Sequence, residues 1–161
     1  MLLDTLDELF ERLRVATTPT EIEALQNGIW QLWLSTGNRR LDKHLEAGMR
    51  AMAAGDYSHA IADFTVLIEE CPSYAEGWNK RATAHYLRGE YRASIRDIQQ
   101  TLRLEPRHFG ALSGWATMIR MLGDDAGALR VLLRLQRICR YWPGLQAQLH
   151  DLRNRLGEAE S

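Results

Sequence analysis

Small and bulky apolar residues of this chain recur in register every 34 residues. Gly55, Gly89 and Gly123 align, and each is followed by an acidic residue. The same register aligns three small residues and three bulky ones, which are Gly48, Ala82 and Ala116, and Phe64, Ile98 and Leu132. A fixed period of roughly 20 to 50 residues indicates a repeat architecture. Three copies are predicted within residues 41–142, at 41–74, 75–108 and 109–142.

Each copy predicts a pair of antiparallel helices, as the second copy shows most clearly. Large residues and the small Ala82 recur at helical spacing from Trp78 to Tyr86, and Gly89 stands where a helix end favours a left-handed residue. Apolar spacing then resumes until Pro106, which ends the second helix because proline cannot continue the hydrogen-bond ladder. One pair leaves apolar surface bare, so we expect the copies to stack into an all-α solenoid.

The second copy resembles the tetratricopeptide-repeat signature. The residues that carry the resemblance are Trp78, Ala82, Tyr86, Gly89, Tyr91, Ile98 and Pro106. It covers about 100 of the 161 residues and implies a bacterial-type array of helical hairpins, an α-solenoid wound as a right-handed superhelix. The third copy departs from the pattern at Trp115, Asp125 and Arg140. Because Pro143 comes three residues after the expected proline position, we expect the second helix of this copy to run long.

The flanks predict helical caps, which repeat arrays need at their ends. Residues 1–38 form a predicted helical hairpin, and its first helix carries the apolar residues Leu2, Leu6, Leu9, Phe10 and Leu13. A capping box at Thr18 to Glu21, with Pro19 at the first helical position, opens the second helix. We expect Trp30 and Trp33 to bury against the repeats.

Two further segments complete the predicted division. Residues 37–40 are predicted to link the hairpin to the first repeat. Residues 143–161 are predicted to form a capping helix and tail, with an apolar stripe of Leu145, Leu149, Leu152 and Leu156.

The resemblance also implies a binding surface. In tetratricopeptide-repeat proteins the first helix of each pair lines a concave groove that holds an extended peptide or a partner helix. The positions carried over to this chain are Glu46, Met49, Met52, Asn79, Lys80, Thr83, Tyr86, Ser113, Thr117, Arg120 and Met121. We therefore expect a non-enzymatic protein-interaction module that acts as an adaptor or assembly factor. The competing interpretation is that Met49 and Met52 only pack between hairpins.

The chaperone-binding branch of the family captures a C-terminal carboxylate with a basic, Asn-containing clamp. Where that clamp would fall, this chain has Leu45, Met49, Lys80, Gly110 and Gly114. Only Lys80 carries a positive charge, so the sequence disfavours capture of an Hsp70 or Hsp90 tail.

Charge raises two alternative functions. In the first alternative, the second helices of copies two and three form a convex basic face that binds RNA or anionic lipid. The arginines of this face are Arg92, Arg96, Arg103, Arg130, Arg134 and Arg137. Nucleic-acid binding is disfavoured, because no aromatic residues for base stacking lie between these arginines and because Asp97 interrupts the positive charge. Residues 1–80 carry 13 acidic and 7 basic side chains, and residues 81–161 carry 8 and 13. Head-to-tail self-association as a structural scaffold is thus the other alternative, and we expect a monomer or weak dimer.

Catalytic motifs are missing from the sequence. It has no Gly-rich phosphate loop, no Gly-x-Ser-x-Gly, no His-Glu-x-x-His and no Cys-x-x-Cys. The five histidines are scattered without a second ligand at zinc spacing, and we expect His85 to be a hydrogen-bonded structural residue. We expect no catalytic residues, no cofactor and no metal.

Cysteines and hydropathy bear on the compartment. Cys71 and Cys139 occupy the same position in copies one and three, with a whole hairpin between them, so a disulfide within the chain is sterically disfavoured. Free thiols suit a reducing compartment. No run approaches the roughly 18 to 20 apolar residues of a membrane span, and the first residues lack the features of a secretory signal. We expect a cytoplasmic protein, or an exported one if a signal has been removed.

Overall fold

The computed structural model describes residues 4–157, so Leu2 of the predicted first helix lies outside the described residues. All regular secondary structure within this range is helical. The helices are α1 (Leu6–Val15), α2 (Pro19–Trp33), α3 (Arg39–Ala53), α4 (Tyr57–Glu70), α5 (Ala75–Leu87), α6 (Tyr91–Leu104), α7 (Phe109–Met121), α8 (Asp125–Ile138) and α9 (Leu145–Arg155).

The described chain forms two compact units. One contains residues 33–111, and the other contains the described residues of 1–32 and 112–161. The boundaries of these units fall inside α2 and α7. They differ from the segments 1–38, 41–142 and 143–161, which remain our predicted division by sequence.

Close helix contacts build the unit of residues 33–111, in which α3 packs on α4, α4 on α5 and α5 on α6. A Cβ atom added to Gly48 of α3 would lie only 2.4 Å from Cε1 of the buried Phe64 ring of α4. In the next pair the Ser94 hydroxyl donates to the Ala82 carbonyl at 2.7 Å. The small residues at these positions therefore allow the close approach that the sequence predicted.

Polar contacts join the first pair to the second. The Arg81 guanidinium of α5 donates to both carboxylate oxygens of Asp97 at 2.7 and 2.9 Å, and to the Thr65 hydroxyl of α4 at 3.2 Å. Asp97 is buried. The prediction that Asp97 interrupts an exposed basic face is therefore wrong, because its carboxylate faces Arg81 in the interior.

The end of α2 is held within the same unit by aromatic contacts. The Trp33 ring stacks on His108 with centroids 4.3 Å apart, and it lies 5.2 Å from the Phe109 ring. The Tyr74 hydroxyl donates to the Trp33 carbonyl at 2.7 Å. Trp33 thus packs against the repeats, but Trp33 and Trp30 are both half-buried rather than fully buried as predicted.

In the other unit, α8 packs against both α1 and α9. The leucine stripe of α9 is buried at Leu145, Leu149 and Leu152, whereas Leu156 follows the helix and is exposed. Helix α1 therefore contacts the second helix of the third predicted copy, which the sequence pattern did not indicate.

The predicted extension of α8 is wrong. The helix has 14 residues, like α4 and α6, and ends at Ile138. Cys139 leaves the helical region, with φ −141° and ψ 96°, although its N–H still bonds to the Leu135 carbonyl. The Cys139 side chain is fully buried. The helix therefore ends at the same repeat position as α4 and α6, although no proline follows directly.

Side-chain caps fix several helix starts. The Thr18 hydroxyl accepts from the Glu21 N–H at 3.3 Å at the start of α2, which is one of the two bonds of the predicted capping box. The Asn38 side chain accepts from the N–H groups of Arg40 and Leu41, so α3 begins at Arg39. The predicted linker therefore ends at Asn38, and its two arginines belong to the helix.

Replacing Gly89 with a β-branched residue is expected to destabilise the protein. Its φ is +78°, as the predicted helix end requires, and no atom lies within 4 Å of an added Cβ. Gly89→Val should therefore lower the free energy of unfolding by about 1 to 2 kcal/mol through backbone strain alone. Denaturant unfolding measures this loss.

Gly28→Ala is the matched control for Gly89→Val. Gly28 lies inside α2, and an added Cβ would meet Leu9 at an ordinary 3.5 Å. We expect this substitution to stabilise the protein by up to about 1 kcal/mol, because alanine favours a helix interior more than glycine does. Equal unfolding curves for Gly89→Val and the unchanged protein would contradict the assignment.

Candidate peptide-binding faces

The predicted groove residues of α3 divide between surface and core. Glu46 is exposed. Met49 and Met52 are half-buried and pack against a core cluster that includes Leu45 and Phe64. Their contacts match the packing interpretation of these methionines.

Two predicted residues of α5 belong to a buried polar network. Asn79 is only 7% exposed, and its side-chain amide donates to Glu76 Oε1 at 3.0 Å. Lys80 Nζ lies 3.5 Å from the same oxygen. Asn79 and Lys80 therefore face a carboxylate of their own helix in this structure.

His108 completes the network from the end of the second repeat. Its Nδ1 accepts from the Ala111 N–H at 3.1 Å, so the ring proton lies on Nε2. Nε2 then donates to Glu76 Oε2 at 2.8 Å. Both side chains are 1% exposed, and Trp33 covers the imidazole face. This network fixes the first turns of α5 rather than presenting them to solvent.

The last turn of α5 is more open. The Thr83 hydroxyl donates to the Asn79 carbonyl at 3.1 Å. Tyr86 is half-buried, with its ring centroid 5.7 Å from that of Tyr91. Leu87, which follows Tyr86 and was not among the predicted residues, is 45% exposed. The end of α5 therefore carries a half-buried aromatic ring and, at the next residue, an exposed aliphatic side chain.

The predicted residues of α7 are described within the other unit. Ser113 is half-buried, and the exposed Thr117 donates its hydroxyl to the Ser113 carbonyl at 3.0 Å. Arg120 is half-buried and donates to Asp151 of α9. Met121 is 55% exposed. The end of α7 thus combines an ion-paired arginine with an open apolar side chain.

Sequence reasoning missed two side chains of these faces, Leu87 and Asp151. Leu87 is one period of 34 residues before Met121, so the register that placed Met121 in the groove would also have placed Leu87 there. Asp151 lies outside the repeats, and no sequence signal marked it as the partner of Arg120.

Comparison with known proteins supports the repeat assignment. No protein-family model matches the chain. A TPR repeat-containing protein of Rhizobium etli is 34% identical over 125 residues, which are 78% of this chain and 61% of that relative. The Sti1 TPR2B domain of yeast, solved in complex with pHsp70, superposes with a TM-score of 0.65. The chain is a tetratricopeptide-repeat protein.

The structural similarity extends over about three quarters of the chain. The Sti1 structure is 17% identical, covering 73% of this chain and 99% of that one. The Sgt2 TPR domain of Aspergillus fumigatus has a TM-score of 0.65 at 20% identity, covering 75% of this chain and 82% of that one. These structures show a shared all-α solenoid fold. The chain spans 61% of the length of the Rhizobium relative.

The alternative arginine face of the tetratricopeptide array is solvent-accessible. On α6 the exposed residues are Arg92, Arg96 and Arg103, and on α8 they are Arg130, Arg134 and Arg137. Arg103 donates to Gln100 at 2.7 Å. Both second helices therefore present positive charge outward.

Candidate metal ligands do not gather within residues 4–157, where no three His, Cys, Asp or Glu side chains could hold an ion. His85 bonds through Nδ1 to Glu90 at 2.6 Å and is half-buried, which matches its predicted structural role. Cys71 and Cys139 are free, and burial raises the pKa of the Cys139 thiol. Among the described helices, none has the length and apolar character of a membrane span.

Proposed function

We propose that this chain is a non-catalytic adaptor or assembly factor that binds a polypeptide of a partner protein on the ends of α5 and α7. One observation carries the proposal. Leu87 and Met121 are 45% and 55% exposed at equivalent repeat positions, and Tyr86 and Arg120 directly precede them. Tyrosine, arginine and methionine are enriched in protein interfaces, and tyrosine and arginine anchor many of them.

The local chemistry favours an internal segment over a free C-terminus. The Sti1 domain was solved in complex with pHsp70, but this chain has one cation among the five clamp positions. That cation, Lys80, has a side chain only 16% exposed and lies against Glu76. A terminal carboxylate would have to compete with a carboxylate already in place. We therefore propose a segment held mainly by its apolar side chains.

The first experiment identifies the segment and measures its affinity. Co-purification from native extract followed by mass spectrometry names the partner, and isothermal titration calorimetry gives its dissociation constant. Tyr86→Ala or Leu87→Ser should each weaken binding by more than about 1 kcal/mol, or roughly fivefold, with helicity unchanged. Unchanged affinity in both variants would exclude the α5 end as a binding site.

Arg120 needs a matched control because Arg120→Ala also releases Asp151. Asp151→Ala breaks the same ion pair but keeps the cation. We expect Arg120→Ala to weaken binding at least fivefold and Asp151→Ala to preserve it. Equal losses would assign Arg120 a structural role.

The arginine face is the competing site. Arg134→Ala should leave peptide affinity unchanged, and raising the salt concentration from about 50 to 200 mM should lower that affinity only slightly. A face that reads phosphates would instead lose several decades of affinity over that range. An essential Arg134 together with a steep salt dependence would replace the peptide proposal with nucleic-acid or anionic-surface binding.

The compartment and assembly state are part of the same proposal. Two free thiols fit a reducing compartment, so we propose that the protein acts in the cytoplasm. We propose a monomer or weak dimer.

A further inference from the structure

A second surface, separate from the proposed peptide-binding faces, lies between the C-terminal ends of α1 and α8. It is an open cleft of about 520 Å³, and its lining includes Arg14, Val15, Arg137, Arg140 and Tyr141. All these residues belong to one compact unit. We refer to it as the α1/α8 cleft.

The cleft carries unbalanced positive charge. Arg14 pairs with Glu11 at 3.0 Å, but both side chains are mostly exposed and such pairs contribute little. Arg137 and Arg140 are exposed, and neither forms an ion pair with another residue of the described chain. The cleft therefore presents two arginines that no carboxylate of residues 4–157 neutralises.

Apolar surface adjoins these arginines. Val15 is 60% exposed and Tyr141 is 46% exposed. The Arg140 guanidinium carbon lies 5.9 Å from the Tyr141 ring centroid, within cation–π range. Arginine beside exposed tyrosine is the composition of protein-binding hot spots.

The loop that carries Arg140 and Tyr141 is held in place. Cys139 is fully buried before it, and the Trp142 N–H donates to the Cys139 carbonyl at 3.2 Å. The Gln146 amide donates to the Arg140 carbonyl at 3.3 Å. Arg140 stands where the first two repeats have proline, so this cleft arises where the third repeat departs from the pattern.

We propose that the α1/α8 cleft binds a short acidic segment of a partner protein. Carboxylates of the segment pair with Arg137 and Arg140, and an apolar or aromatic side chain packs against Val15 and Tyr141. Bidentate arginine–carboxylate pairs supply both affinity and orientation. A cleft of this volume holds a few side chains.

The surroundings favour an acidic segment over a polyanion surface. Glu8 and Glu11 are exposed on α1, and Glu11 lies one turn before Arg14. An RNA strand or an anionic membrane extending beyond the cleft would bring phosphates close to these carboxylates. A short peptide satisfies the arginines without that repulsion.

A peptide selection tests the proposal independently of the peptide-binding faces of α5 and α7. A random peptide library displayed on phage is selected on the unchanged protein and on the double variant Arg137→Gln/Arg140→Gln. We expect peptides rich in Asp and Glu around one apolar residue, enriched on the unchanged protein only. No enrichment, peptides without acidic excess, or equal enrichment on the double variant would each overturn the proposal.

The second arm of the test measures the affinity of the best enriched peptide. With a fluorescent label and anisotropy, the double variant should bind at least tenfold more weakly, at unchanged circular dichroism. Arg153→Gln removes an exposed arginine of α9 and should change the affinity less than twofold. An equal loss in Arg153→Gln would show general charge attraction and overturn the site.

Other occupants give distinct results in the same assay. A labelled RNA 12-mer or vesicles with anionic lipid that bind more tightly than the peptide, and lose binding in the double variant, would replace the acidic segment by a phosphate surface. Concentration-dependent dimers abolished in the double variant would make a second copy the occupant, and likewise overturn the proposal.

Discussion

Gly48→Ala is expected to destabilise the protein by about 2 to 3 kcal/mol, although alanine normally favours a helix by about 1 kcal/mol over glycine. The added methyl would lie 2.4 Å from Phe64 Cε1 and 2.8 Å from Cδ1 and Cζ. The Phe64 ring is fully buried within a core cluster that includes Leu41, Leu45 and Leu67, so its displacement would disturb these neighbours. The clash therefore has to move α3 away from α4. Chemical denaturation of the purified variant measures the loss.

A matched glycine provides the control for Gly48→Ala. An alanine at Gly77 of α5 would meet Leu67 and Tyr74 at 3.5 Å, which is ordinary contact. Gly77→Ala should therefore stabilise the protein slightly, by up to about 1 kcal/mol.

A double-mutant cycle tests the contact itself. In a Phe64→Leu background the smaller side chain leaves room for the methyl, so Gly48→Ala should cost at least about 1 kcal/mol less there. Equal costs in both backgrounds would show that Phe64 is not the cause.

The register of small and bulky residues predicted the helix pairs because each pair solves the same packing problem. Gly48 faces Phe64, and Ala82 accepts from Ser94 in the next pair. Such contacts join the two helices of one hairpin, so the residues that make them recur with the repeat. Their periodicity is therefore visible in a single sequence. The contact of α1 with α8 recurs nowhere in the repeats, and the register gave no sign of it.

The candidate site was predicted less completely, because its geometry depends on contacts between distant residues. Asn79 and Lys80 were predicted to face the groove, yet both side chains contact the Glu76 carboxylate. Glu76 is fixed in turn by His108, which lies at the end of the same repeat. Nothing in helical periodicity distinguishes an exposed glutamate from one that holds a buried histidine.

Helix starts show which local signals could have been used. Thr5 and Glu8 form a reciprocal capping box at the start of α1, with the Thr5 N–H donating to Glu8 at 2.6 Å. This pair has the sequence spacing of a capping box, so the sequence alone was sufficient to predict that α1 begins at Leu6. The end of α8 falls one period of 34 residues after the end of α6, so the register of the repeats, rather than the position of Pro143, marked it.

Glu76→Ala is expected to cost about 3 to 5 kcal/mol of the free energy of unfolding. The carboxylate accepts from His108 Nε2 at 2.8 Å and from Asn79 Nδ2 at 3.0 Å, and it balances the charge of Lys80. Its loss removes a shared acceptor from donors that have little access to water. Breaking a buried charged pair by removing one partner carries a penalty of this size. Urea unfolding followed by circular dichroism measures the loss.

Two variants separate the network from a general effect of removing an acid. Glu70→Ala breaks the surface pair with Arg40 and should cost less than about 1 kcal/mol. Glu76→Gln keeps one carbonyl acceptor and removes the charge. Its loss of unfolding free energy should therefore lie between those of Glu70→Ala and Glu76→Ala. Because Trp33 stacks on His108, the tryptophan fluorescence of Glu76→Ala should also change in the native state. If Glu76→Ala were no more costly than Glu70→Ala, His108 and Lys80 would be satisfied without the carboxylate, and the network would not hold the end of α2 on the repeats.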